Sequence, residues 1–114
     1  MDEVRWPGEW LRGVLALCVL AVVAEGETYG YAVAQRLQAA GLGVIKGGTL
    51  YPVLTRLEED GLLTSSWREG DAGPGRKYFA VTTEGRAELG RRAAQWTTFT
   101  ERAAGLLSHE GVRP

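Results

Sequence analysis

Apolar residues recur at helical spacing in four stretches, and two short segments rich in β-branched and aromatic residues lie between the third and the fourth. The first stretch, Leu11 to Ala24, is interrupted by Arg12 and is otherwise apolar on nearly every side. A helix of that kind is covered from two directions, by its own core and by another subunit. GluGlyGlu at 25–27 breaks the pattern, and Thr28 can cap a second helix on which Val33, Leu37 and Ala40 repeat. Gly41 and Gly43 end it. After the connection Val44 to Gly48, the residues Leu50, Val53, Leu54 and Leu57 line one face of a third helix that stops at Gly61. Pro52 lacks a backbone donor and is safest in a first turn, so local chemistry predicts a cap near Gly48 or Thr49.

Leu62 to Arg68 and Arg76 to Thr82 read as two strands of a hairpin whose tip, 69–75, is expected to be mobile. Thr82 or Thr83 can cap a closing helix with Glu84 in its first turn. Along it Leu89, Ala93, Trp96, Phe99, Ala103 and Leu106 step at three or four residues, a stripe that suits a partner helix. The order is three helices, a hairpin and one long helix. The expected fold is mainly α with a small β-hairpin, a winged helix-turn-helix followed by a C-terminal dimerisation helix. Residues 1–82 form the first unit, 83–107 the helix packed on the N-terminal one, and 108–114 a frayed tail.

The length, 114 residues, suits one core and hardly a second. Hydrophobic residues at 45% and charged residues at 24% are ordinary globular usage, which argues against disorder. The first apolar run has the length of a signal-peptide core, but Asp2, Glu3 and Glu9 stand before it and 14 residues are too few to span a bilayer. A cytoplasmic protein without a membrane segment is expected. Thirteen Lys and Arg against 14 Asp and Glu remove any argument from bulk charge, so a nucleic-acid surface has to be local. One Cys and one His make neither a zinc site nor an internal disulfide. Cys18 in the apolar run and His109 near the C-terminus form no plausible catalytic pair, and no phosphate-binding loop occurs, so neither an enzyme nor a cofactor is expected.

Several motifs are more specific. TyrGlyTyr at 29–31, GlyThrLeuTyrProValLeuThrArgLeuGluGluAspGlyLeuLeu at 48–63, and GlyArgLysTyrPhe at 75–79 with Thr82 and Gly85 stand in the order and spacing of one family. The chain resembles the PadR-like transcriptional regulators over about residues 11–107. The resemblance implies a dimeric, DNA-binding repressor of the short type, its first and last helices building the dimer. It also implies that the third helix starts near Lys46, earlier than Pro52 suggests.

The residues supply their own argument for duplex DNA. Lys46, Arg56, Arg68, Arg76 and Lys77 fall between the third helix and the wing, against Glu58, Glu59, Asp60, Glu69 and Asp71. Only orientation separates the two sets. The helix start offers backbone donors to a phosphate, Lys46 a cation and Thr49 a hydroxyl. Tyr51, Pro52, Thr55 and Arg56 are candidates to meet base edges, and a bidentate Arg56 on guanine is worth about 1 to 3 kcal/mol. Arg76 and Lys77 alternate sides of a strand, so at least one can face the backbone. Tyr29 and Gln35 are weaker phosphate candidates, and Tyr31 is expected to pack. A dimer would place two reading helices about 34 Å apart on an inverted-repeat operator.

Trp96 and Trp10 are costly residues for a plain core, and dimer packing is their simplest role. Family likeness adds a flat aromatic effector between paired closing helices, stacked on Trp96, framed by Phe99 and Leu89, with Trp10 and Leu17 as the floor. The near-neutral wing region leaves a second expectation open, a winged-helix module that dimerises and docks a protein without reading DNA.

Overall fold

A computed structural model describes residues 5–70 and 73–108. The hairpin tip at 71 and 72, His109 and the tail beyond Ser108 lie outside the described residues, so the expectations of a mobile tip and a frayed tail are not addressed there. The element order is α1 (Gly8–Ala24), β1 (Thr28–Tyr29), α2 (Gly30–Ala39), α3 (Gly47–Glu59), β2 (Leu63–Arg68), β3 (Arg76–Val81) and α4 (Thr83–Leu107). The three strands form an antiparallel sheet in the order β1-β3-β2.

Two boundaries differ from the local reading. Thr28 does not cap α2: it pairs with Phe79, and Tyr29 pairs with Tyr78, so both residues are strand and α2 starts at Gly30. A ladder formed with residues 50 positions away outcompetes a cap available next door. In α3, Pro52 sits inside the helix and Lys46 is the N-cap, its carbonyl accepting from the amides of Thr49 and Leu50 at 2.9 Å each. The proline removes only the bond to Gly48, whose exposed position leaves its carbonyl to water. The start near Lys46 implied by the family likeness is the one observed.

Leu15, Val19, Leu20 and Val23 of α1 pack with Val33 and Leu37 of α2, Leu50, Leu54 and Leu57 of α3, and Leu63 and Phe79 of the sheet. This is a helix-turn-helix held against one supporting helix and closed by the wing. Both helices of the pair end alike. Gly41 and Gly61 take φ of 95° and 79°, and the following amides of Leu42 and Leu62 reach back to the carbonyls of Leu37 and Leu57.

The second of these ends is the anchor of α4. The Thr82 hydroxyl donates to the Gly61 carbonyl at 2.7 Å and accepts the Gly85 amide at 2.9 Å, capping α4 while tying it to the end of α3. Gly85 lies so close to the Leu62 carbonyl that a Cβ there would stand 2.1 Å from its oxygen. Beyond this anchor no other described residue of α4 is fully buried.

Candidate nucleic-acid interface

Helical geometry gives α3 three aspects outside its buried ridge. Gly48, Pro52, Thr55 and Glu59 face outward and are exposed. Gly47 and Tyr51 turn toward α2, where they line a groove with Tyr31 and Gln35. Thr49 and Arg56 turn the other way, toward α1 and α4, with Arg12, Ala16 and Arg92. Thr49, Pro52 and Thr55 therefore stand where the sequence suggested, at the surface of the second helix of the pair. Tyr51 and Arg56 lie on opposite flanks.

Tyr51 owes its position to a glycine. A Cβ at residue 30 would meet its hydroxyl at 2.3 Å, so the first residue of α2 has to be bare for the ring to lie across the start of that helix. This explains the middle residue of TyrGlyTyr. Tyr31 is 64% exposed, not packed as expected, and its hydroxyl accepts a 3.1 Å bond from the Gln35 amide. One turn of helix separates the two, which places them side by side. Lys46 is exposed at the start of α3, where no side chain caps the helix and the first amides remain available to an anion.

The wing divides its cations between the two faces of the sheet. Register puts Leu63, Ser65 and Trp67 on one face with Val81, Phe79 and Lys77, and Arg68 on the other with Arg76, Tyr78 and Tyr29. On the first face Leu63 and Phe79 enter the core, and the distal Lys77 reaches Glu58 of α3 at 3.5 Å. Glu58 also accepts a 2.5 Å bond from the Ser65 hydroxyl, which clamps the wing to α3. On the second face the Arg68 and Arg76 guanidinium groups lie 4.5 Å from the ring centres of Tyr78 and Tyr29, respectively. Arg68 also pairs with Glu27. Tyr29 thus supports the wing, its ring 5.3 Å from that of Tyr78.

Trp67 was not singled out from the sequence. It is 72% exposed, at the far end of the core-facing row of β2, and lines an apolar groove with Tyr29, Tyr31, Tyr51, Arg76 and Lys77. The signal available was alternation: a strand that carries Leu63 and Ser65 inward must carry Trp67 the same way, two residues beyond the point where the core ends.

The expected effector residues fall in two groups. Trp96 and Phe99 are together, ring centres 5.8 Å apart, on the exposed part of α4. Leu89 packs against the core instead. Trp10 is exposed on α1 and Leu17 is half-buried. Cys18 is half-buried too, and burial raises its thiol pKa above the ordinary value.

Comparison with known proteins agrees with this architecture. Residues 19–91 match the model of the transcriptional regulator PadR-like family. The transcriptional regulator Rv3488 of Mycobacterium tuberculosis is 42% identical over 81 residues, 71% of this chain and 74% of that protein. Among solved structures, a PadR family transcriptional regulator from Eggerthella lenta superposes with a TM-score of 0.80 at 38% identity, over 90% of this chain and 88% of that one. A PadR-like transcription factor from Bacteroides fragilis gives 0.74 at 34% identity, covering 87% and 95%.

Proposed function

The chain belongs to the PadR-like family of transcriptional regulators, and from that membership we propose that it is a dimeric repressor of an inverted-repeat operator, released by a flat aromatic molecule. The observation that carries the DNA reading is the outward ridge of α3. Pro52 and Thr55 are exposed on a helix whose start bears Lys46 and whose side is flanked by the wing. Lys46 and Thr49 hold phosphates, Thr55 and Tyr51 meet base edges or thymine methyls, and Arg76 and Lys77 follow the backbone from the wing. Gln35, beside Tyr31, adds an amide contact from α2, and Tyr29 contributes by holding Arg76 in place.

Dimerisation rests on α4. Phe99, Leu106 and Leu107 are 63%, 78% and 68% exposed, a run of apolar side chains that a second copy of α4 and α1 would cover. Trp96 at the centre of that seam is the platform for a planar ligand, with Phe99 beside it and Trp10 and Leu17 contributed by α1. Ligand binding between subunits would alter the helix crossing angle and hence the separation of the reading helices.

Selection of bound duplexes from a random pool tests the reading: enrichment of an inverted repeat supports it, and no enrichment over the starting pool overturns it. One observation favours a second reading, a protein-docking winged helix: Arg68 and Lys77 already have carboxylate partners, Glu27 and Glu58. That reading predicts no salt-sensitive binding to any duplex. For the effector, quenching of tryptophan fluorescence by a planar dye should disappear in Trp96→Ala.

A further inference from the structure

A helix about 10 to 12 Å across fills the major groove of B-DNA, which leaves a row of phosphates along each of its flanks. On one flank of α3 stand the wing and the tyrosines of α2. On the other, arginines from three different helices come together: Arg12 of α1, Arg56 of α3 and Arg92 of α4 line a single groove that Thr49 and Pro52 also line. The sequence places these arginines 36 to 80 residues apart, and only the packing of α3 and α4 against α1 joins them.

The charge environment of this groove differs from that of the wing. Arg68 and Lys77 of the wing are each engaged by a carboxylate. Among the described residues neither Arg12 nor Arg56 has an ion-pair partner within 4.0 Å. Arg92 touches Glu88 at 3.5 Å, but Glu88 is engaged more closely by Arg91, whose hydrogen bond holds its carboxyl below the ordinary range. Asp60 is the acidic residue that also lines the groove. Cations thus outnumber carboxylates along the rim, although the chain as a whole is slightly acidic.

We infer that the Arg12, Arg56 and Arg92 groove is a second binding site for DNA-backbone phosphates, flanking α3 on the side away from the wing; this rests on the DNA reading proposed above. Arg56 serves here as a phosphate ligand, not as the reader of guanine expected from its position in sequence. The guanidinium groups suit a hydrated phosphate row because they are solvent-exposed, the Arg92 side chain by 60%. A small anionic ligand would instead need to be enclosed to gain affinity from such a site. Since Arg92 belongs to α4, the phosphate row would touch the dimerisation helix itself, and any movement of α4 would be felt at the DNA without passing through α3.

The test compares salt dependence of binding to a duplex selected by the wild-type protein, read by fluorescence anisotropy. Each lost phosphate contact should make the log-log slope shallower by about 0.9. Arg12→Gln with Arg92→Gln, which removes four contacts from a bound dimer, should therefore make the slope shallower by about 3.6 and weaken binding at least tenfold near 0.1 M salt, while Arg12→Lys with Arg92→Lys retains most of the slope. Arg36→Gln with Arg102→Gln removes the same charge outside the groove and should leave the slope nearly unchanged. If the glutamine pair keeps the wild-type slope, or if the control pair loses as much, the phosphate site is refuted while the repressor reading stands. If the wild-type protein binds no duplex in a salt-dependent way, it is the repressor reading that fails.

Discussion

The head of the molecule, from α1 to the wing, and its closing helix α4 are built on opposite terms. In the head, Val19, Val33 and Leu54 have no exposed surface, and the three helices and the hairpin strands contribute side chains to one interior. In α4, a helix of 25 residues and roughly 37 Å, Gly85 is the one described residue that is buried. Yet α4 carries apolar residues at the same three- and four-residue steps as the buried helices. Hydrophobic periodicity shows that a face will be covered; it does not say whether the cover comes from the same chain. The head covers its own faces, and α4 is joined to it by a short anchor, Thr82 and Gly85, and offers the rest of its face to something else.

The sharpest way to break this contrast is to remove atoms from each region. Leu54→Ala should lower the stability of the head by about 2 to 5 kcal/mol, because the transfer loss adds to a cavity at a site closed on all sides. Denaturant unfolding followed by circular dichroism measures it, and a loss below 1 kcal/mol, roughly, would mean that the core is looser than described. Trp96→Ala with Phe99→Ala should leave unfolding of the head nearly unchanged but weaken self-association by about 2 kcal/mol or more, some thirtyfold, as expected for aromatic anchors at an interface. Sedimentation equilibrium reads that shift. A pair that destabilises the head as much as Leu54→Ala does would abolish the distinction between the two regions.

Smaller effects test the joint between them. Thr82→Ala removes the cap of α4 and the donor to Gly61, for a cost of about 1 kcal/mol. Fraying should appear first in the amides of the opening turn of α4, measurable by hydrogen exchange. The smallest effect concerns α1, which serves both regions. Burial raises the thiol pKa of Cys18, so near neutral pH its alkylation should be slower than that of an unfolded peptide and should gain further as pH passes above the ordinary thiol range. A rate equal to that of the free peptide would place Cys18 in open solvent.

Much of the candidate interface was readable because its residues are neighbours in sequence. Lys46, Thr49, Pro52 and Thr55 lie within one helix and its cap, so a period of 3.6 is enough to bring them to one end and surface. The wing was readable for a similar reason, since a hairpin pairs residues close in the chain and its strands were placed within a residue of those observed. Local chemistry misled at three places, and at the first a distant partner decided. Thr28 left its cap for Phe79, and Pro52 was accepted inside a helix whose start is set by Lys46. Tyr31, expected to pack, was left at the surface beside Gln35.

What the amino-acid sequence determined alone is the kind and order of the four helices and the hairpin, the faces that must be buried, and the family, because each depends on spacing along the chain and on turn, cap and side-chain chemistry within a few residues. What only the tertiary structure decided is which exposed groups share a surface. It drew Arg12, Arg56 and Arg92 from three helices into one groove, set Lys77 against Glu58 and Arg68 against Glu27, and left Trp67 outside the core. The physical reason is that Coulomb and stacking interactions act across a few ångströms of space, and the chain separation of the groups that meet there carries no trace in any local pattern.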